Sequence, residues 1–402
     1  MKVLSIKGLK PLFKLDQNRT VTLEENKKYI VADYLVDMLK RQVPEHLHKQ
    51  TINSKDVYTV FSQYKGQDLN NRNLFILRTG GIGDLIFIIP CALHLKQKYP
   101  TSRIFLVCAE KNGQLFNGLK GVAFNDVLAM PLAYEDAVRT VGYPISRAST
   151  YLISFEGMIE TLKDAEEMNV FDLHKKQFGI TEDIDLKPVL YLEGNDEELT
   201  KKYNVFDEKG NRQYLDIGFQ FSASAPIRTW RPDYIVKFFN LWDIPNTRFY
   251  IFDSPYKKDF INKYMDRITN ENVEFVKVYE MSESLVESAR LVKFMQAMIA
   301  PDSSMAHIAG CFNIPIVALF GAFPTELRLK YYNKVVGINA MSDCPYAKKS
   351  VFKSCFAHGN ICPRAQIHAR YFSPCMDLLL PEKVMGYTYS FLKKLGLVNG
   401  LK

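Results

Sequence analysis

The turn Asp302-Ser303-Ser304, with His307 three residues further on, is the stretch of this chain best equipped for chemistry. It follows an apolar run at 298–300 and precedes a helical stretch over 305–312 and a second apolar run at 316–320, a strand, turn, helix, strand pattern. Asp and Ser oxygens can satisfy some of the first helical amides while the other N–H groups point outward, which makes such a turn an anion site. The same residues also form an ordinary helix cap, so the turn alone leaves both readings open.

Two further stretches narrow the choice. Residues 74–100, LFILRTGGIGDLIFIIPCALHLKQKYP, read as a buried strand over 74–77, a glycine turn Gly80-Gly81-Ile82-Gly83, and a helix opened by Asp84 and ended by Tyr99-Pro100. This is not the dinucleotide fingerprint, because Ile86 stands where its third glycine belongs; Glu110, closing the strand over 104–109, is the ribose partner a dehydrogenase-like reading would need. The third stretch is Ser222-Ala223-Ser224 followed by Arg228-x-Trp230-x-Pro232.

Taken in order, Gly83-Asp84 with Pro90, the Ser222–Pro232 block and Asp302-Ser303-Ser304-x-x-His307 resemble glycosyltransferase family nine, the ADP-heptose:lipopolysaccharide heptosyltransferases, over roughly residues 74–335. The resemblance implies a GT-B type α/β fold, two doubly wound Rossmann-like domains facing a cleft, and a nucleotide-sugar donor. In glycosyl transfer a base takes the acceptor's proton and cationic or dipolar groups hold the departing diphosphate. Asp84 is the candidate base, with a helix N-cap as its competing role. Arg228 suits the diphosphate, since its fork can grip two oxygens at once. Gly81, Gly83, Ser222, Ser224, Asp302, Ser303, Ser304, His307 and Arg328 are the candidate donor contacts; for His307 capping or packing competes, and for Arg328 a solvated loop position. In the resembled family the motif reads Asp, small residue, Gly, and here Ser304 replaces that glycine. No D-x-D stands in a suitable loop, so transfer without a catalytic metal is expected.

Composition frames these motifs. With 402 residues, 47% apolar and 13% aromatic, the chain can bury two cores. The formal charge of +8 favours an anionic partner: the nucleotide-sugar donor, whether ADP-heptose or a UDP-sugar, and as acceptor a lipopolysaccharide core, a protein or a nucleic acid. Lysines interrupt every apolar run near the N-terminus, and no run approaches the roughly 18–20 residues of a membrane span, so a cytoplasmic protein is expected. Seven cysteines do not suit a disulfide framework. Four of them, Cys344-x10-Cys355-x6-Cys362-x12-Cys375, suggest a structural tetrathiolate site for zinc or iron, with His358 as a substitute ligand, although the tight C-x2-C knuckle is missing. The second half of this cluster is similar to the cysteine finger of autotransporter heptosyltransferases. Cys91, Cys108 and Cys311 lie in apolar segments and read as core.

The elements that would carry these residues fall into three parts. Residues 1–70 form an N-terminal extension, a small α+β cap. Residues 71–200 alternate as strands and helices and form the acceptor-side α/β domain, where Ile153-Ser154-Phe155-Glu156 and Asp172-Leu173-His174 mark a polar region suited to acceptor contacts. A polar linker over 193–212 leads to the donor-side α/β domain, 206–402, which includes the cysteine-rich insertion at 344–375 and a helix near 381–395 that the resemblance places across the first domain. Two other functions fit parts of the chain: a viral enzyme glycosylating hydroxymethylated DNA bases, suggested by the basic, Lys-, Asn- and Tyr-rich style, and an inactive transferase fold that binds glycans or proteins. A homo-oligomer is compatible with each.

Overall fold

The computed structural model describes residues 2–5, 12–14, 20–22, 28–31, 57–58, 60–130, 138–140, 146–158, 164, 167–321, 324–340, 362 and 372–398. The chain divides into two compact units, 1–156 with 175–184, and 157–174 with 185–402.

The first unit is built on a parallel sheet in the spatial order Ser62–Gln63, Thr150–Ser154, Asn73–Leu77, Arg103–Ala109, Asp126–Met130. Its central strands are apolar almost throughout, as a parallel sheet covered on both faces requires. The helical run expected from Asp84 onward begins earlier, at Ile82, and is broken into Ile82–Ile86 and Ile89–Lys98. Pro90 supplies no N–H to the carbonyl of Ile86, so the helix restarts rather than continuing. Within the extension, Lys2–Ser5 pairs antiparallel with Lys28–Val31 and with Val57–Tyr58, and Lys28–Val31 pairs in turn with Val138–Thr140. The extension is therefore joined by a strand that lies 107 residues beyond its partner at the Val138–Val31 pair.

The second unit holds a six-stranded parallel sheet, ordered Val273–Lys277, Thr247–Phe252, Leu215–Gln220, Ala297–Pro301, Ile316–Phe320, Val335–Asn339. In chain order that is 3-2-1-4-5-6, the doubly wound arrangement expected from the alternating pattern. Four of these strands are buried from end to end. The one carboxylate inside them, Asp216, is matched by Arg248 at 2.8 Å and Arg212 at 2.7 Å, as a buried charge must be. An aromatic core of Phe219, Phe238, Phe239, Phe249, Trp230 and Trp242 fills one face, with most ring pairs edge-on. The stretch expected as a linker, 193–212, is folded onto this unit: helix Asp196–Lys202 is capped by Asn195, and Asp196 pairs with Arg290 at 2.7 Å.

The helix read near 381–395 spans Pro381–Lys394 and packs on the core of its own unit. Val384 and Leu392 enter the aromatic core, and the Trp230 indole N–H donates to the Leu379 carbonyl at 2.8 Å. Among the described residues no helix is long and apolar enough to cross a membrane. Replacing Trp230 by Phe keeps the ring but leaves the Leu379 carbonyl without its buried donor. The expected result is a loss of about 1–3 kcal/mol, read as a lower unfolding temperature with unchanged secondary structure by circular dichroism.

Candidate functional site

In an open parallel sheet, ligands bind beyond the C-terminal ends of the strands where the winding changes direction. In the second unit this point lies between Leu215–Gln220 and Ala297–Pro301. Phe219 stands opposite Ile299, so the loops that follow, 221–228 and 302–303, leave the sheet side by side. They carry two of the three motifs.

Arg228 bridges these loops. Its guanidinium donates to the Asp302 carbonyl at 2.9 Å, to Asp302 Oδ2 at 3.3 Å, and to the Ser224 hydroxyl. Asp302 is buried, and burial alone would raise the pKa of its carboxyl. Arg228, the His307 imidazole and the charge of Arg328 outweigh that effect and hold it well below the usual carboxylate range. Asp302 therefore favours its ionised form and holds the Arg228 guanidinium through its carbonyl and Oδ2. His307 places Nε2 at 3.7 Å from Asp302 Oδ1 and Nδ1 at 3.0 Å from the Tyr332 hydroxyl. Arg328 is not on a solvated loop; it lies in helix Glu326–Leu329 and is buried.

Ser303 is the N-cap of helix Ser304–Cys311, with extended backbone, yet its side chain makes no capping hydrogen bond. Its Oγ is buried and has no partner among the described residues. The first amides of the helix thus lack a side-chain cap, and a buried hydroxyl waits beside them, next to the positive end of the helix dipole and half-exposed Arg228. An anion satisfies all of these groups together. Ser304, in place of the glycine of the resembled motif, is not among the residues with positive φ, so the position does not need glycine's conformational freedom.

Ser222 lies apart from this group in its contacts. Its amide and hydroxyl both donate to Asp253 Oδ2 at 2.7 Å, and Lys257 Nζ donates to the Ser222 hydroxyl at 2.6 Å and to the Ala223 carbonyl at 3.1 Å. Burial lifts the Asp253 carboxyl above its ordinary range despite Lys257 and Ser222. Ser222 therefore fixes the start of the Arg228 loop, and Thr229 fixes its end, accepting from the Ala223 amide and donating to the Ala225 carbonyl. Asp253 and Lys257 carried no signal in the sequence beyond their place after a predicted strand.

The first unit has its own cluster at the corresponding point of its sheet. Ser154 pairs with Leu77, so Phe155 and Arg78 leave adjacent strands together. Arg78 donates to Asp84 Oδ2 at 2.6 Å, to the Phe155 carbonyl at 3.1 Å and to Glu156 at 3.3 Å. Asp84 is the third residue of its helix and not the N-cap, a position held by Gly81, so the capping role does not apply. Gly83 likewise lies inside the first turn. The glycines of this turn keep negative φ; Gly80 is needed for close approach instead, because a Cβ there would lie 2.6 Å from the Arg78 guanidinium carbon. Arg78, which organises this cluster, went unrecognised in the sequence although it directly follows the strand.

Of the proposed metal ligands, Cys344 and Cys355 lie outside the described residues. Cys362 is buried, and Cys375 Sγ would be 3.0 Å from a Cβ on Gly321. Among the described residues no group of three or more His, Cys, Asp or Glu side chains could hold a metal. Cys91, Cys108 and Cys311 are buried as expected, and burial pushes the Cys311 thiol up.

The Asp302 pairing has a pH signature. A carboxyl whose folded pKa lies below its unfolded value of about 3.9 contributes stability that is complete above that value and is lost as pH falls through the folded pKa. In unfolding measurements from about pH 5 to pH 3, wild type should lose stability more steeply than Asp302→Asn, so that the gap between them narrows.

The chain is similar in structure to the glycosyl transferase family 9 protein from Veillonella parvula, with a TM-score of 0.56 and 15% identity, covering 82% of this chain and 99% of that one. It is similar to E. coli ADP-heptose lps heptosyltransferase II, with 0.55 and 13%, covering 81% and 99%. It also resembles the iron-containing dodecameric glycosyltransferase TibC from enterotoxigenic E. coli, with 0.53 and 16%, covering 83% and 78%. At these identities the likeness carries the two-domain GT-B fold. No curated protein matches the chain. Residues 164–355, just under half of the chain, match the family described as Glycosyltransferase family 9 (heptosyltransferase), a span that contains Arg228, Asp302 and Ser303.

Proposed function

We propose that this protein is an inverting glycosyltransferase that moves a heptose or related sugar from a nucleoside-diphosphate donor to an acceptor hydroxyl. The observation that carries the reading is the pairing of Arg228 with ionised Asp302 beside the uncapped helix start at Ser303, whose buried hydroxyl lacks a partner. A diphosphate matches this arrangement in charge and in hydrogen-bonding capacity, with Arg228 and the helix amides as donors. Two of the similar structures are of proteins named for ADP-heptose or solved with it, which supports ADP-heptose as donor and a lipopolysaccharide or protein hydroxyl as acceptor. The dodecameric state of TibC supports a homo-oligomer as the assembly to look for. Buried thiols at Cys311 and Cys362 fit a reducing, cytoplasmic setting.

In the proposed step, Asp84 Oδ1 takes the acceptor's hydroxyl proton while that oxygen attacks the anomeric carbon. The bond from this carbon to the diphosphate oxygen breaks, and the leaving diphosphate carries away the electron pair. Arg78 holds Asp84 Oδ2, leaving Oδ1 without a partner among the described residues. Arg228, the Ser303 hydroxyl and the helix amides receive the charge that develops on the leaving group, which is the task a divalent cation performs where no such cation-and-amide cradle exists. Ser222 and Ser224 set the Arg228 loop; Gly81 and Gly83 let the Asp84 helix start close to substrate; Arg328 adds positive charge behind Asp302.

The test is calorimetry with ADP, ADP-heptose and UDP-sugars, followed by turnover. Asp84→Asn should lower kcat by about 10²–10⁴ while leaving ADP affinity intact. Arg228→Ala should weaken ADP binding roughly ten- to a hundredfold. A donor preference for UDP-sugars, or a full loss of ADP binding in Asp84→Asn, would overturn the assignment.

The four-cysteine site for zinc or iron is carried forward on the same footing, with TibC's iron as support. Elemental analysis of the full chain should find bound zinc or iron that Cys375→Ser removes; purified protein free of both metals and fully active would end this part of the reading.

A further inference from the structure

We infer that Tyr332 is a positioning residue for the donor site, acting through a buried chain that runs from its hydroxyl to His307, from His307 to Asp302, and from Asp302 to Arg228. The inference rests on the donor reading above, which assigns Arg228 to the diphosphate.

Tyr332 follows helix Glu326–Leu329 by three residues and is 5% exposed, with its hydroxyl 3.0 Å from His307 Nδ1. The ring is seated from two sides. Phe171 meets it edge-on, with centroids 5.8 Å apart at 86°. On the other side lies Gly310, three residues after His307 on the same helix: a Cβ there would come within 2.6 Å of the tyrosine ring. Only glycine at 310 allows the ring to lie against the helix that carries His307, and that approach brings the hydroxyl to Nδ1.

The chemistry of the chain then follows from donors and acceptors. A phenol buried this deeply remains an O–H donor over the working range of pH, because burial pushes its ionisation far upward. A neutral imidazole has one N–H and one acceptor nitrogen, and the tautomer is fixed by the hydrogen bond at the other nitrogen. The carboxylate of Asp302, 3.7 Å from Nε2, favours the tautomer with its proton on that nitrogen, which assigns Nδ1 as the acceptor of the Tyr332 hydroxyl. Asp302 is thereby held through Oδ1 and offers Oδ2, together with its backbone carbonyl, to Arg228. Without the tyrosine hydroxyl, Nδ1 loses the donor that favours it as an acceptor, and the share of imidazole with its proton on Nδ1 rises. Nε2 would then present a lone pair to the Asp302 carboxylate, the anchor would turn, and Arg228 would lose its orientation.

The conservative variant Tyr332→Phe keeps the ring against Gly310 and Phe171 and removes only the hydroxyl. In the full-length protein, ¹⁵N NMR of His307 should show Nδ1 as acceptor and Nε2 as N–H in wild type, and a mixed or reversed tautomer in Tyr332→Phe. ADP affinity should fall roughly five- to tenfold, the worth of one hydrogen bond, with little change in unfolding temperature. In a His307→Ala background the same substitution should have no further effect on ADP affinity, which a merely structural role for the hydroxyl would not produce. An unchanged imidazole signature in Tyr332→Phe, or effects of the two substitutions that simply add, would overturn the proposal. If wild type fails to bind ADP at all, the donor reading falls, and the NMR comparison alone decides whether Tyr332 sets the tautomer.

Discussion

A carboxylate buried at the end of a strand must be matched by positive charge or it will not stay ionised, and at Asp302 that constraint falls on the loops that carry the candidate site. Matching it recruits Arg228 from the neighbouring strand's loop and His307 from the helix that follows. Asp302 and His307 belong to one stretch of chain and Arg228 to another, and one ion pair ties the two together at the point where the sheet changes winding direction. The surrounding structure is arranged to keep that pair in place: Asp253 and Lys257 clamp the loop at Ser222, Thr229 closes it, and Trp230 roots it in the aromatic core.

The first unit solves a similar problem with the opposite distribution of charge. There a single buried arginine, Arg78, lies between two carboxylates, Asp84 and Glu156, again where adjacent parallel strands end side by side. In the second unit the anion is buried and the cation is half-exposed; in the first the cation is buried and the carboxylates are the more exposed partners. The more exposed partner is thus a carboxylate in the first unit and a guanidinium in the second.

Much of this was legible in the sequence because parallel strands are short, continuous apolar runs between helices. The run at 316–320 coincides with the observed strand, those at 74–77 and 104–109 fall one residue short of theirs, and the winding order follows from the alternation of strands with helices. Asp84, Arg228, Asp302 and Ser303 could be found because each sits in or just beyond the turn that follows such a strand, close to small residues. What stayed hidden were partners whose importance depends on long-range packing. Arg78 looks like any residue between a strand and a turn until Glu156 arrives from 78 residues away. Tyr332 lies among other tyrosines and lysines, and nothing local marks it as the neighbour of Gly310. The helix break before Pro90 was readable in principle, since a proline within a helical pattern removes a donor, but the apolar run across it masked the signal.

The helix Pro381–Lys394 gives the second unit a temporal problem as well as a packed surface. The contact between Trp230 and the Leu379 carbonyl closes a separation of 149 residues. At synthesis rates of about 5–20 residues per second, the ribosome needs roughly 7–30 s to make that intervening chain. Throughout that interval the aromatic face formed by Trp230 and Phe238 has no cover from Val384 and Leu392. A nascent chain of this protein therefore carries a sticky, half-finished core for many times longer than most secondary structure takes to form, and its yield in the cell depends on what shields that face while synthesis continues.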